Sequence, residues 1–215
     1  NITLAQCIYR WKIEKAGFAV HECVSNSSFQ VRLSEVDGAA EMVWIDGLAT
    51  EIPSKGFAEV ERIEAPAYWV DKYEVTNAQF KQFLNEGGYG EPRYWRGLRF
   101  VQDGRQLDWT EAVAHFRDST GRPGPSTWAE GTYPPGQDNH PVAGVSWFEA
   151  NAYAAYRGKN LPTVHHWRNA ASLDDALMII PFSNFGRGVA AVGAHQGVGR
   201  MGTYDMAGNV KEWCL

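Results

Sequence analysis

Polar and apolar residues alternate from Cys7 to Glu14, the period-two pattern of a half-buried strand. Ala16-Gly17 reads as a turn, Phe18-Ala19-Val20 resumes the strand, and Phe29 to Leu33 alternates again. Residues 1–38 therefore predict the hairpin-rich end of a preceding β-rich, sandwich-like module, too short to bury a core alone. Asp37-Gly38-Ala39-Ala40 marks the boundary, and a main domain is expected over 41–215. Within it, Met42 to Ile45, Glu59 to Ile63 and Tyr68 to Val75 read as strands, the first ending at the turn pair Asp46-Gly47.

The pattern then changes period. Thr76-Asn77-Ala78-Gln79 is a capping box, and Phe80, Phe83 and Leu84 follow on one helical face before Gly87-Gly88 stops the helix. Ser146-Trp147-Phe148-Glu149 is a second capping box, with Ala150, Tyr153 and Ala154 inward and Gly158 as the stop. Thr163 opens a third helix carrying Trp167, Ala170 and Ala171, and His166 stands where a capping box places Glu or Gln. Residues 89–140 are polar, aromatic and rich in Gly and Pro, which predicts long ordered loops with a short helix near Trp109 to Phe116. Residues 186–208 read as Gly-rich loop and short strand.

Composition adds exclusions. The chain has 215 residues, 44% apolar, with nine Trp and a formal net charge of −5. No basic block invites nucleic acid, and no apolar stretch is long enough to span a bilayer. So many Trp point to an irregular fold with layered aromatic packing, because each buried indole needs a partner for its N–H. Cys7, Cys23 and Cys214 are an odd number with no zinc-like spacing. They read as buried or free thiols, with a Cys7–Cys23 disulfide left open. His115, His140 and His195 lack ligand-like spacing, and adjacent His165 and His166 would point to different helix faces. The chain starts on Asn1, carries no leader pattern, and ends inside an apolar segment, so both ends read as cuts.

Three segments carry a family resemblance. Tyr68 to Phe80, with Asp71, Glu74-Val75-Thr76-Asn77 and Phe80, is similar to an opening strand and helix of the pattern D-x-x-E-V-T-N-x-x-F/Y. Pro141 to Trp147, Ala150 to Tyr156, and Gly158-Lys159-Asn160-Leu161-Pro162-Thr163 with Trp167 resemble P-V-x-x-V-S-W-x-x-A-x-x-Y followed by G-K-R-L-P-T-E-A-E-W. Tyr204 to Trp213 is very similar to Y-D-M-x-G-N-V-W-E-W. Together they resemble the formylglycine-generating enzyme, or sulfatase-modifying factor, family from about Met42 onward. The resemblance implies an α+β, C-type-lectin-like fold of low regular secondary structure, here truncated at the C-terminus.

In that family the best-known members oxidise a sulfatase cysteine with two copper(I)-binding cysteines lying beyond the last motif. None of the three cysteines here matches that place, so no catalytic residue carries over. Copper is implied only if a cysteine pair follows residue 215. The resemblance implies calcium at the last motif, with Asp205, Asn209 and Glu212 as hard oxygen donors around Gly208 and a weaker site beginning at Asn184. The alternative is that Asn209 and Glu212 simply bond loop backbone. Val164-His165-His166 replaces the family's acidic residues after L-P-T and removes charge that the helix dipole favours. This variant is similar to a subgroup fused to bacterial serine/threonine kinases, outside the membrane and after a β-rich segment.

The expected function is a non-catalytic ligand- or protein-binding sensor module. Trp95, Trp109, Trp128 and Tyr133 on the loops would form the binding face for a peptide, protein or small molecule. The alternatives are a copper-dependent cysteine oxidase and a nonheme-iron sulfur-transfer enzyme.

Overall fold

The computed structural model describes residues 8–26, 28–33, 35, 41–50, 63–171, 176–186 and 188–215. The strands are β1 (Tyr9–Ile13), β2 (His21–Ser25), β3 (Met42–Ile45), β4 (Leu48–Thr50), β5 (Ile63–Ala65), β6 (Tyr68–Asp71), β7 (Phe100–Gln102) and β8 (Arg105–Leu107). The helices are α1 (Asn77–Asn85), α2 (Trp109–Val113), α3 (Trp147–Tyr156), α4 (Val164–Ala171) and α5 (Ala176–Ile179). Among the described residues the sheets are antiparallel two-stranded ribbons, β1-β2, β3-β6, β4-β5 and β7-β8. The chain divides into two compact units.

The first unit comprises the described residues of Asn1–Glu74, Pro162–Gly188 and Val192–Asn209. Its hairpin differs from the expectation in one place. The return strand begins at His21 rather than Phe18. The Phe18 N–H instead donates to the Lys15 carbonyl at 3.0 Å, closing a turn in which Gly17 takes φ +82°, and Phe18 bridges Glu35. Phe29 to Leu33 pairs in no ladder; Phe29 packs on Trp11 at 5.7 Å. Most of the strand expected at Glu59 to Ile63 lies outside the described residues, as does Cys7.

In the β3-β6 ribbon, Val43 faces Val70 and Ile45 faces Tyr68. Period-two alternation turns these four toward Ala170 of α4, Met201 and Met206. The α4 start is capped as its sequence implies. The Thr163 hydroxyl accepts the His166 N–H at 3.2 Å and lies 2.6 Å from His166 Nδ1, so the imidazole turns back onto the cap hydroxyl itself.

The second unit comprises Val75–Leu161, Val189–Ala191 and Val210–Leu215. Thr76 and Gln79 close a reciprocal capping box on α1, and Ser146 and Glu149 close another on α3. A third, Asp108 with Glu111, starts α2. The first two motifs meet here: Thr76 bridges Pro141, the Asn77 N–H donates to His140 O at 2.8 Å, and the Val142 N–H donates to Val75 O at 2.8 Å. The long loops also hold a hairpin absent from the sequence reading. Asp103 and Gly104, at φ +50° and +78°, turn β7 into β8, the backbone that a tight two-residue hairpin turn requires.

The core of this unit is aromatic. Phe80 stacks on Tyr153 at 5.4 Å, Trp95 stacks on Phe116 at 5.5 Å, and Phe83 touches Tyr89, Tyr94, Tyr153 and Tyr156. Two buried indoles satisfy their N–H groups, Trp95 on Gly88 O at 2.9 Å and Trp128 on Asn77 Oδ1 at 3.1 Å. A side chain at position 88 would place its Cβ 2.1 Å from the Phe83 ring, so only glycine lets the chain pass there. Trp95 and Trp128 are 3% and 1% exposed. They form core rather than the expected binding face, because flat rings gain more from mutual burial than from water.

Asp118 orders the loop that follows α2. Its carboxylate accepts N–H bonds from Gly131 (2.6 Å), Thr120 (2.8 Å) and Arg122 (3.0 Å), and the Thr120 hydroxyl at 2.8 Å. Burial pushes the carboxyl up, but these donors outweigh it and bring it down to about 2.

Two outcomes follow from this packing. Phe83→Ala removes the ring at the centre of the cluster and should cost about 3–5 kcal/mol of unfolding free energy, read by urea denaturation. Asp118 is held below its unfolded value near 4, so its contribution is complete above that value and is lost as pH falls toward 2. Amides of residues 118–131 should lose hydrogen-exchange protection over that window in the native protein, and Asp118→Ala should show the loss already at neutral pH.

Candidate functional site

The candidate site in the first unit is the turn at the last motif and its supports. Tyr204 is buried; its N–H donates to Lys72 O at 2.9 Å, and its hydroxyl donates to Glu22 Oε2 and accepts from Arg10 Nη2 at 2.9 Å. Next comes Asp205 at φ +57°, a left-handed conformation that Asp and Asn tolerate better than most residues. Its buried carboxylate accepts the Gly193 N–H at 2.7 Å. Gly208, at φ +89°, passes so close to Asn184 that a Cβ would sit 2.2 Å from the Asn184 carbonyl oxygen.

Asn209 closes the turn, also left-handed at φ +51°. Its N–H donates to Asn184 O at 2.9 Å, its amide nitrogen donates to Glu74 Oε2 at 2.7 Å, and its amide oxygen accepts from Asn184 Nδ2 at 2.9 Å. Asn184 Nδ2 also donates to Gly188 O at 3.1 Å, and Asn184 Oδ1 accepts the Gly186 N–H at 3.1 Å. Asp205, Asn209 and Asn184 thus lie in one unit with Glu74, a support the sequence reading missed. The E-V-T-N segment gave Glu74 a place in a motif but no partner. Glu212 lies in the other unit and is exposed.

The donor set is one of hard oxygens, the chemistry calcium prefers. Asp205 is buried, accepts a single N–H and joins no ion pair with Lys or Arg among the described residues. Burial pushes its carboxyl above the ordinary aspartate value, against the Gly193 N–H and His195. A cation would relieve that cost. Among the described residues no group of three or more His, Cys, Asp or Glu side chains converges for a metal ion. By donor type, Asp205 and the Asn209 carboxamide oxygen suit calcium; the latter accepts Asn184 Nδ2 here.

Cys23 is fully buried, and burial pushes its thiol up to about 11. Burial and Glu212 raise Cys214 as well.

Trp109 and Tyr133 are half-buried; Tyr133 packs on Trp128 and donates to Asp138 at 3.1 Å. The exposed rings are others. Trp69, Phe182 and Phe185 lie in the first unit, and Trp213 lies in the second at 49% exposure, its indole N–H donating to Val145 O at 3.0 Å. Single-sequence periodicity does not report which loop rings stay out.

The profile of the sulfatase-modifying factor enzyme 1-like domain matches residues 29–215. The chain belongs to this family. It is 32% identical over 189 residues to a serine/threonine-protein kinase pkn1 of Chlamydia pneumoniae, covering 81% of this chain and 27% of that protein. It is 30% identical over 203 residues to a hercynine oxygenase of Mycolicibacterium smegmatis, covering 83% and 44%. It is 30% identical over 198 residues to the formylglycine-generating enzyme of Mus musculus, covering 76% and 52%. The chain thus spans between a quarter and about half of these relatives, which include kinases and enzymes of two other kinds. The observed mixture of helices and small ribbons is that of a sulfatase-modifying-factor domain. Among the described residues no helix is long and apolar enough to cross a membrane.

Asp205→Asn tests the turn directly. An acid raised on folding favours the folded state while protonated, and that stability is lost as pH rises through the folded value. Asn keeps an acceptor for Gly193 and suits the left-handed backbone. The variant should melt higher than the native protein at pH 7 without added calcium, and the difference should shrink as pH falls toward 4.

Proposed function

We propose that this sulfatase-modifying-factor domain is a non-catalytic binding module, most similar in role to the domains carried by kinases. The observation that carries this reading is the similarity to the Chlamydia pneumoniae serine/threonine-protein kinase, 32% identical over 81% of this chain. A C-type-lectin-like arrangement of small ribbons and ordered loops, and a place outside the cell membrane, accompany it as proposals.

Binding is assigned to exposed rings rather than to Trp95 and Trp128, with Phe185 the leading contact and a peptide or protein segment the fitting ligand class. Calcium, held by Asp205 and Asn209, would act as a structural ion that stiffens the last-motif turn.

The test uses the full-length protein with copper(I), oxygen and a cysteine-containing sulfatase peptide, followed by peptide mass spectrometry. The peptide should emerge unmodified, while millimolar calcium should raise the melting temperature of the native protein and leave Asp205→Asn unchanged. Copper-dependent conversion of the cysteine would overturn the module reading in favour of the oxidase.

A further inference from the structure

The family match begins at residue 29, yet the β1-β2 hairpin ahead of it belongs to the same compact unit as Tyr204 to Asn209 of the last motif. One face of the hairpin carries Arg10 and Lys12 on β1 and Glu22 and Val24 on β2, as the Arg10–Val24 and Lys12–Glu22 register requires. Val24 is buried with Tyr204, Met178 and Val198, and Tyr73 packs against them. Glu22 accepts the Tyr204 hydroxyl proton, Arg10 donates to the same oxygen, and the two side chains lie 3.8 Å apart. Lys72 lies over the Tyr204 ring at 5.4 Å. On the hairpin's other face, His21 abuts Gly202, where a Cβ would meet its ring at 2.8 Å.

We infer that the hairpin is a conformational strap that sets the last-motif turn through Tyr204. The hydroxyl of Tyr204 is gripped by both strands, and the next residue, Asp205, already stands in the left-handed conformation that begins the turn. Displacing the hairpin frees Tyr204, and with it the positions of Asp205 and Asn209. A pull or a partner acting on residues upstream of the hairpin is thereby read at the candidate site. By linkage, anything bound at the turn tightens the hairpin by the same factor. In this arrangement residues 8–26 work as part of the domain rather than as the end of a separate module. The strap deepens the binding-module reading and rests on it only for its purpose.

Hydrogen exchange on the full-length protein, without any ligand, tests the strap independently of that purpose. The hairpin variant Arg10→Ala/Glu22→Ala leaves the motif sequence intact, and Tyr204→Phe removes the gripped hydroxyl from the other side. In both, the Gly193 amide, bonded to Asp205, and the Asn209 amide, bonded to Asn184, should exchange at least about tenfold faster. The β3-β6 ladder amides and the Gly131 amide should keep their native rates. Native rates at Gly193 and Asn209 would overturn the strap, and so would an equal rise at every amide of the first unit, which is general destabilisation. Neither result bears on whether the domain is catalytic.

Discussion

A hydrogen-bonded pair of asparagines, Asn184 buried and Asn209 half-buried, holds the last-motif turn of the first unit. Asn184 donates its side-chain amide to the Asn209 amide oxygen, Asn209 also closes on the Asn184 carbonyl, and Glu74 accepts from the Asn209 amide nitrogen. Three segments far apart in the chain meet at these groups. Where burial limits competition from water, as at Asn184, a polar group left without a partner is costly. Gly208 is the steric condition for this closure, since no side chain fits against the Asn184 carbonyl. Asp205, the neighbouring buried carboxylate, is held by the Gly193 N–H.

The second unit rests on a different physics. Rings packed at 5 to 6 Å, with indole N–H groups satisfied by a carbonyl and an amide oxygen, give loops of little regular structure a rigid interior. Asp118 does for one such loop what a helix cap does for a helix, gathering backbone donors onto one carboxylate. Ordered loops then become a platform on which a few uncovered rings can act in recognition.

What the sequence disclosed follows from how local each signal is. The Thr76-Gln79 and Ser146-Glu149 boxes were legible because a cap is written in four consecutive residues. The Asp108-Glu111 box and the Asp103-Gly104 turn were equally local, but a Gly- and Pro-rich setting hid them. The β2 offset arose because Phe18 is spent closing a turn, and an apolar residue looks the same in either role. Burial of Trp95 and Trp128 depends on partners such as Phe116 and Phe80 from other segments, which no window along the chain contains. Asp205, Asn209 and Asn184 were found through their motif, whereas Glu74 entered the site only through a hydrogen bond spanning 135 positions. Glu212 shares the motif but not the unit.

Cys23 is sealed in β2 with no exposed surface, and its thiol is held protonated. An alkylating reagent can reach it only when that strand lets go. Its labelling rate is therefore a clock for hairpin opening, and the chain carries that clock without any engineered probe.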